Sequence, residues 1–445
     1  MLRCGDYISI TASELPYMSR KNSRRKFLKT SASALAVLPA AGFPYPNFPN
    51  PEKSTVNPIA DPTQSLIGQY GPWAANLPAD PPALSYRRPD SKGLKSWRKK
   101  GLKTVHTYLG APDIGAQPQV TVKRKYTYDG LDIEELSWQL PYGRPTEAIL
   151  LKPAGATGPL PGVLGLHDHG GNKYFAKRKI TKTGNDQHPM MSEHQTHYYE
   201  GKAWANELAK RGYVVLVPDN FTFGSRRVLY QDVAGFSWGP WRTDDLSDEN
   251  PEKQENIDVY NEWAGHHEHI MAKSLFCGGT TWPGVFLRED QRALDVLCAR
   301  PEVDEERVGC GGLSGGGLRT AYLAGLDDRI QCAVCVGFMT TWRDLLLYKS
   351  FTHTWMAYIP ILPNYLDFPE VLGLRTPLPT MTLNNNQDQL FTLEEMQRAD
   401  GMLREVFAKA KAADRYRGNF YEGEHKFDLA MQADAFDWWD QWLNA

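Results

Sequence analysis

The feature that most constrains the fold is a glycine-rich pentapeptide, Gly-Leu-Ser-Gly-Gly, at residues 312–316. It ends an apolar run at 307–313 that is typical of a buried strand, and it opens a run of helical periodicity at 316–326. A strand that turns this tightly into a helix needs small flanking residues, and the turn lifts its central side chain above the strand end. The pattern therefore predicts a β-α unit that presents the hydroxyl of Ser314 at the edge of a sheet.

The rest of the chain alternates strand-like and helix-like runs. Strands are predicted at 120–128, 133–139, 147–152, 161–166, 213–218, 307–313, 330–337, 379–384 and 418–421. Helices are predicted at 90–110, 201–211, 286–300, 316–326, 392–412 and 429–444. An antiparallel start followed by repeated β-α units predicts an α/β fold with one mostly parallel, doubly wound sheet and helices on both faces. Two stretches, about 220–284 and 338–377, break this rhythm, and insertions of that size often cap a functional site.

A serine in such a turn needs a base, because its hydroxyl is scarcely ionised at neutral pH. Two histidines follow Ser314 in the chain. His353 lies within the second insertion, whereas His425 follows the last predicted strand and precedes the terminal helix. His425 is therefore predicted at the same edge of the sheet as Ser314, and it is the predicted base.

The serine and its base need a third residue, an acid that orients the histidine. In folds with such a turn, the acid lies between the serine and the histidine along the chain. Asp388 follows the predicted strand at 379–384, and it is the predicted acid that orients His425. Two competitors stay open. Asp344 follows the preceding strand, and Glu424 is adjacent to the histidine in sequence.

The loop at 167–171, which reads His-Asp-His-Gly-Gly, follows another predicted strand of the sheet. An anionic intermediate on the serine would need two backbone N–H donors. One is predicted from Gly315, the residue after the serine, and the other from this loop. His169 is the first choice by position, with Asp168 and Gly170 close behind it.

Together these motifs resemble the dienelactone hydrolase and acetyl xylan esterase branch of the α/β-hydrolases. They are His-Asp-His-Gly-Gly at 167–171, Gly-Leu-Ser-Gly-Gly-Gly at 312–317, Asn-Gln-Asp-Gln-Leu-Phe at 386–391 and Gly-Glu-His-Lys-Phe at 423–427. The resemblance covers about 90–443. It implies ester hydrolysis through an acyl-enzyme, without a metal or an organic cofactor. Dienelactone hydrolases proper have a cysteine nucleophile and are much shorter, so the resemblance indicates a mechanism better than a substrate.

The two insertions are rich in aromatic residues, which can stack on the apolar faces of sugar rings. The candidate substrate-binding residues are Trp238, Trp241, Trp342 and Trp355. Packing of these rings onto the core is the open alternative for each. The predicted substrate is an ester of a small acyl group, acetyl first, on a carbohydrate.

The N-terminal region predicts export. Residues 23–29 read Ser-Arg-Arg-Lys-Phe-Leu-Lys and lead into an Ala-rich run at 30–41, which resembles a bacterial twin-arginine signal. This implies the twin-arginine machinery as a partner and a periplasmic or secreted location. The predicted organisation is a signal peptide at 1–42, a Pro-rich leader outside the fold at 43–89, and a catalytic domain at 90–445. Since no stretch approaches 18 consecutive apolar residues, stable membrane insertion is not expected.

Other function classes are less favoured by composition and spacing. The formal net charge of −2 gives no electrostatic reason to expect nucleic acid as a partner. Eight of the 11 histidines fall within 167–269, which keeps a metal-binding hydrolase as an alternative, although no His-Glu-x-x-His spacing occurs. A serine peptidase of related fold would share the three residues. The large gating domain expected of such a peptidase is absent from this sequence, however. Whether Cys277 and Cys298 form a disulfide stays open.

Overall fold

The structure is a computed structural model that describes residues 64–91, 93–244, 246–249 and 252–444. The predicted signal peptide and the first part of the predicted leader lie outside these residues. Residues 64–89, which the sequence assigns to the leader, pack against the rest of the chain. For example, Ser85 is buried and its hydroxyl donates to Glu370 Oε1 at 2.5 Å.

Eleven strands and eleven α-helices make up the regular structure of the described residues. The strands are β1 (Val120–Tyr128), β2 (Leu131–Trp138), β3 (Thr146–Pro153), β4 (Leu160–Gly165), β5 (Val214–Pro218), β6 (Ser237–Trp238), β7 (Trp241–Arg242), β8 (Val303–Leu313), β9 (Cys332–Val336), β10 (Thr380–Asn385) and β11 (Tyr416–Tyr421). The helices are α1 (Gly71–Ala75), α2 (Leu94–Leu109), α3 (Pro189–Tyr199), α4 (Trp204–Lys210), α5 (Gln254–Cys277), α6 (Trp282–Cys298), α7 (Gly315–Leu326), α8 (Trp342–Asp344), α9 (Phe368–Gly373), α10 (Leu393–Lys409) and α11 (Leu429–Leu443).

Nine of these strands form one sheet in the order β1-β2-β3-β5-β4-β8-β9-β10-β11. The pairs β1-β2, β2-β3 and β3-β5 are antiparallel. Every later pair, from β5-β4 to β10-β11, is parallel. The prediction of a mostly parallel sheet with an antiparallel start is therefore confirmed. The carboxyl ends of β4, β8, β9, β10 and β11 all meet at one edge, which is where parallel α/β sheets carry their sites.

The central strands are buried on both faces, as their continuous apolar sequences require. Every residue of β5 and β9 is buried. One apolar cluster on the sheet includes Trp97 of α2, Phe286 of α6 and Tyr322 of α7. A separate cluster includes Trp204 of α4 and Trp439 of α11. The prediction of helices on both faces is confirmed.

The two insertions have structure of their own. The first contains the β6-β7 hairpin and the long helix α5. Tyr260 and Trp263 of α5 belong to a third apolar cluster, and Trp238 and Trp241 of the hairpin pack against it. Helix α6 starts earlier than predicted, at Trp282, because the Thr281 hydroxyl accepts the N–H of Gly284 at 3.0 Å and caps the helix. The second insertion consists of α8, α9 and several short helical turns between β9 and β10.

Helix α2 also departs from its predicted start. It begins at Leu94 rather than near Asp90, and Gly93 precedes it with φ of 73°. Asp90 accepts a hydrogen bond from Arg88 Nε at 3.1 Å instead of capping the helix. The acidic side chain is therefore engaged by a neighbouring cation, and the helix starts one turn later.

In the described part of the chain, no helix has both the length and the apolar character to cross a bilayer. The five cysteines found there are free thiols. Cys277 and Cys298 are therefore not joined, which resolves the pairing that the sequence leaves open.

Candidate active site

Ser314 occupies a strained turn between β8 and α7. Its φ and ψ are 57° and −116°, a conformation that non-glycine residues rarely adopt. Its N–H donates to the Val336 carbonyl of β9 at 2.9 Å, which fixes the turn to the neighbouring strand. A Cβ atom on Gly312 or Gly316 would collide with the Leu166 carbonyl oxygen. The glycines around Ser314 are therefore required by the close approach of the loop that follows β4.

His425 and Asp388 form a directly bonded pair. Nδ1 of His425 lies 2.6 Å from Oδ2 of Asp388, and the other carboxylate oxygen accepts the N–H of Leu390 at 2.9 Å. Asp388 is buried and His425 is partly exposed. With a proton on Nδ1 directed at the carboxylate, Nε2 keeps its lone pair and can accept a proton. Nε2 is buried and has no partner among the described residues.

Gly337 brings this imidazole to the serine turn. It directly follows β9 and has φ of 57°. A Cβ atom at this position would lie 2.9 Å from His425 Cε1 and 2.9 Å from Leu313 Cδ1. Leu313 immediately precedes Ser314, so His425 packs beside the serine turn at the end of β9. The three predicted residues thus come from the loops after β8, β10 and β11, and they converge at one edge of the sheet.

The competitors for the acid and base positions have other partners. Oδ2 of Asp344 accepts the Thr340 hydroxyl at 2.7 Å and the Thr392 N–H at 3.1 Å. Burial raises the pKa of Asp344. His353 lies 2.9 Å from the Leu390 carbonyl through Nε2, and burial lowers its pKa to about 4. Glu424 is exposed. These contacts leave Asp388 as the carboxylate that meets His425.

The predicted backbone donors lie next to each other. A Cβ atom on Gly315 would be 2.9 Å from the backbone nitrogen of His169. Gly315 is the first residue of α7, and the first N–H groups of a helix have no intrahelical acceptor. Of the three residues that the sequence leaves open, His169 is the one whose backbone nitrogen comes closest to this position.

A buried lysine that sequence reasoning missed fixes the direction of this N–H. Lys179 Nζ donates to the carbonyls of Asp168 and His169 at 2.8 and 2.7 Å. The Asp168 carbonyl shares its peptide plane with the His169 N–H, and the two point in opposite directions in a trans peptide. Lys179 therefore turns the His169 N–H away from itself. Burial lowers the pKa of Lys179 to about 8, although the Asp168 carboxylate opposes this shift.

Helix α3, which was not predicted, holds two of the loops. The Tyr199 hydroxyl donates to Asp168 Oδ2 at 2.5 Å, and His194 Nε2 lies 3.1 Å from the same carboxylate. The carbonyl of Tyr198 accepts the N–H of Phe427 at 2.7 Å, two residues after His425. One sequence signal could have found this helix, because a proline at its first position, Pro189, is typical of a helix start.

The four candidate substrate-binding tryptophans differ in exposure. The ring centroid of Trp238 lies 5.1 Å from that of His267, and Trp241 lies 5.2 Å from His266, so both pack on α5. Trp342 donates through Nε1 to the Leu366 carbonyl at 3.2 Å and packs on a core phenylalanine. These three are only partly exposed, whereas Trp355 is 40% exposed. Trp355 is therefore the tryptophan of this set with the most surface available to a ligand.

The histidine-rich region does not gather into one cluster. His188 Nε2 lies 2.9 Å from the Glu252 carbonyl, His194 meets Asp168, and His267 stacks on Trp263. Among the described residues, no three His, Cys, Asp or Glu side chains are arranged to hold a metal ion. Each of these histidines thus has a local structural partner.

Comparison with known proteins places this geometry in a wider context. No family model matches the chain. A putative hydrolase of Bacillus subtilis, YtaP, is 26% identical over 299 residues, which span 66% of this chain and 83% of that protein. A putative acetyl xylan esterase from Bacteroides fragilis superposes with a TM-score of 0.60 at 16% identity, over 80% of this chain and 82% of its own. A glucuronoyl esterase from Solibacter usitatus gives 0.53 at 14% identity, over 82% and 99%. The chain therefore has the α/β-hydrolase fold.

Proposed function

We propose that this protein is a serine hydrolase that cleaves carboxylic esters through an acyl-enzyme on Ser314. The observation that carries the proposal is the 2.6 Å contact between His425 Nδ1 and the buried Asp388, made beside the strained serine turn. The relative YtaP is itself named a putative hydrolase. An imidazole oriented in this way activates a serine hydroxyl without help from a metal.

The residues have separate roles in the proposed reaction. The Ser314 Oγ attacks the ester carbonyl carbon while His425 Nε2 takes its proton, and Asp388 stabilises the resulting imidazolium. The negative charge on the former carbonyl oxygen is stabilised by the backbone N–H groups of Gly315 and His169. The imidazolium then protonates the leaving alcohol. A water molecule, deprotonated by His425, hydrolyses the acyl-enzyme and frees Ser314.

We propose a small acyl group on a carbohydrate as the substrate. The exposed face of Trp355 supports this choice, because indole rings stack on the apolar faces of sugars. Two structural neighbours are named a putative acetyl xylan esterase and a glucuronoyl esterase, and the proposal extends to this chain the class of substrate that these names indicate.

A series of esters with increasing acyl length tests the substrate. We expect acetate and propionate esters to be cleaved well, with kcat/KM falling for chains beyond roughly six carbons, because a site matched to a small acyl group has no room for a longer chain. The measurement is kcat/KM on a matched set of p-nitrophenyl esters, followed by acetylated xylan and methyl glucuronate esters. Ser314→Ala is the control for background hydrolysis. A preference for octanoate would contradict the proposal and indicate a lipase-like site.

Dialysis against a chelator should leave the rates of ester hydrolysis unchanged, because the serine is activated by His425 and not by a metal ion. A loss of activity that zinc restores would contradict this mechanism.

We also propose that the chain is exported by the twin-arginine pathway. Arg24→Lys combined with Arg25→Lys should abolish export, because the paired guanidinium groups are what the receptor reads. The measurement is the distribution of the protein between cytoplasmic and periplasmic fractions. Lys26→Arg, which keeps the arginine pair, is the matched control. Unchanged export of the double variant would mean that the signal has been misidentified.

A further inference from the structure

Glu268, on helix α5 of the first insertion, is a buried carboxylate where four donors from two other parts of the chain meet. Its Oε1 lies 2.7 Å from His169 Nε2 and 2.9 Å from Lys173 Nζ. Its Oε2 accepts the Thr354 hydroxyl at 2.6 Å and the Trp355 N–H at 3.3 Å. The loop after β4 and the second insertion are therefore joined through a single side chain.

The hydrogen bonds of His169 define which tautomer this arrangement holds. The N–H of Gly171 donates to His169 Nδ1 at 3.1 Å, so Nδ1 carries a lone pair. In a neutral ring the proton then sits on Nε2, from which it is donated to Glu268. Burial lowers the pKa of His169 despite the nearby carboxylate, which keeps the ring neutral at pH 7.

Glu268 itself stays ionised. Burial acts to raise its pKa, but the Lys173 ammonium and the His169 contact outweigh this and hold the pKa below its usual range. Lys173 is also buried, and its Nζ lies 4.4 Å from the Phe223 ring centroid and 4.7 Å from that of Trp282. The ring of Phe223 meets the edge of His169 at 5.4 Å. The carboxylate thus sits in a buried, charge-balanced site against the ring of His169.

We propose that Glu268 is a positioning residue for the oxyanion hole, which holds His169 beside Ser314 and ties the same loop to Trp355. This inference rests on the proposed function, because the His169 N–H matters only if an anion forms at Ser314. It adds a consequence for specificity. A sugar that contacts Trp355 would be connected through Glu268 to the loop after β4, which carries His169 and is proposed to stabilise the transition state.

Glu268→Gln is the sharpest change, because an amide of the same size has one acceptor oxygen where the carboxylate has two. On either side the amide NH₂ would face a group that can only donate, the Lys173 ammonium or the Trp355 N–H. We expect kcat on p-nitrophenyl acetate to fall by about 10- to 100-fold, as loss of donor placement does, with little change in KM. The affinity for an alkyl boronic acid, which mimics the tetrahedral intermediate, should fall by the same factor as kcat/KM.

Two further variants separate positioning from folding. Glu268→Gln leaves Lys173 buried without a counter-charge, which by itself lowers stability. Adding Lys173→Met restores the charge balance, and this double variant should regain thermal stability but keep the low kcat. Glu289→Gln is the matched control, because Glu289 is also buried and its partners Tyr142, Phe221 and Arg226 are not residues of the loop after β4.

The tautomer of His169 gives a readout that does not depend on turnover. In protein labelled with ¹⁵N-histidine, we expect the wild type to show His169 with its proton on Nε2 and Glu268→Gln to show a mixture of tautomers; His169→Gln assigns the signal. The inference is overturned if the tautomer is unchanged and kcat falls no further than in Glu289→Gln. A wild type that hydrolyses no ester and does not react with a fluorophosphonate would instead reject the proposed function, and the tautomer measurement would still test the role of Glu268.

Discussion

Ser314→Ala and His425→Ala are each expected to lower kcat by roughly 10⁴-fold or more, because the nucleophile and its base act as one unit. Without the hydroxyl no acyl-enzyme forms, and without the imidazole the hydroxyl keeps its proton. The double variant should be hardly worse than either single variant, since the second change removes a group that no longer has a partner.

Steady-state kinetics on p-nitrophenyl acetate and covalent labelling with a fluorophosphonate would measure this effect. Ser314→Ala should remain folded, because the backbone of the serine turn is held by the Val336 carbonyl. His425→Ala removes the partner of Asp388 Oδ2, but the Leu390 N–H still donates to Oδ1, so circular dichroism should confirm the fold before kinetics are compared. His353→Gln is the matched control for the histidine, as it changes the other histidine that follows Ser314. An equal loss in His353→Gln would show that the base has been assigned to the wrong residue.

Asp388→Asn is expected to lower kcat by roughly 10³- to 10⁴-fold, because it forces the wrong tautomer on His425. The N–H of Leu390 donates to Oδ1 of Asp388, so an amide would keep its oxygen there. Its NH₂ group would then face Nδ1 of His425, which lies 2.6 Å from the carboxylate in the unmodified protein. A proton would be required on Nε2, and the imidazole could no longer accept the proton of Ser314.

Asp344→Asn provides the comparison for this prediction. Asp344 is also a buried carboxylate after a strand of the same sheet, but it accepts from Thr340 and Thr392 through one oxygen. An amide oxygen can replace that acceptor, so only a small change in kcat is expected. If Asp344→Asn lowers kcat by several orders of magnitude while Asp388→Asn leaves kcat close to that of the wild type, the assignment of the acid is wrong.

The sheet and the convergence of the three loops could be predicted because the signals are local. The glycines around Ser314 mark a close approach of backbone, and the strand before them and helix after them are read from periodicity alone. His425 and Asp388 each follow a predicted strand, so their place at the edge follows from the direction of parallel strands.

The supports of the loops could not be predicted, because their partners are far apart in sequence. Lys179 meets backbone carbonyls of Asp168 and His169, which have no sequence signature. Glu268 contacts Thr354 across 86 residues. The choice between ring stacking on sugar and packing on the core also depends on tertiary contacts, as the different exposure of Trp241 and Trp355 illustrates.

Helix α3 has a consequence for how such a protein can change. It bonds to Asp168 in the loop after β4 and, through the Tyr198 carbonyl, to Phe427 in the loop after β11. If either loop is replaced or shortened alone, its hydrogen bond to α3 is lost, and α3 is the helix that also holds the other loop. In directed evolution the two loops and this helix should therefore be recombined as one unit, whereas the side chain of Trp355, whose contact with Glu268 is made by its backbone N–H, can be varied separately.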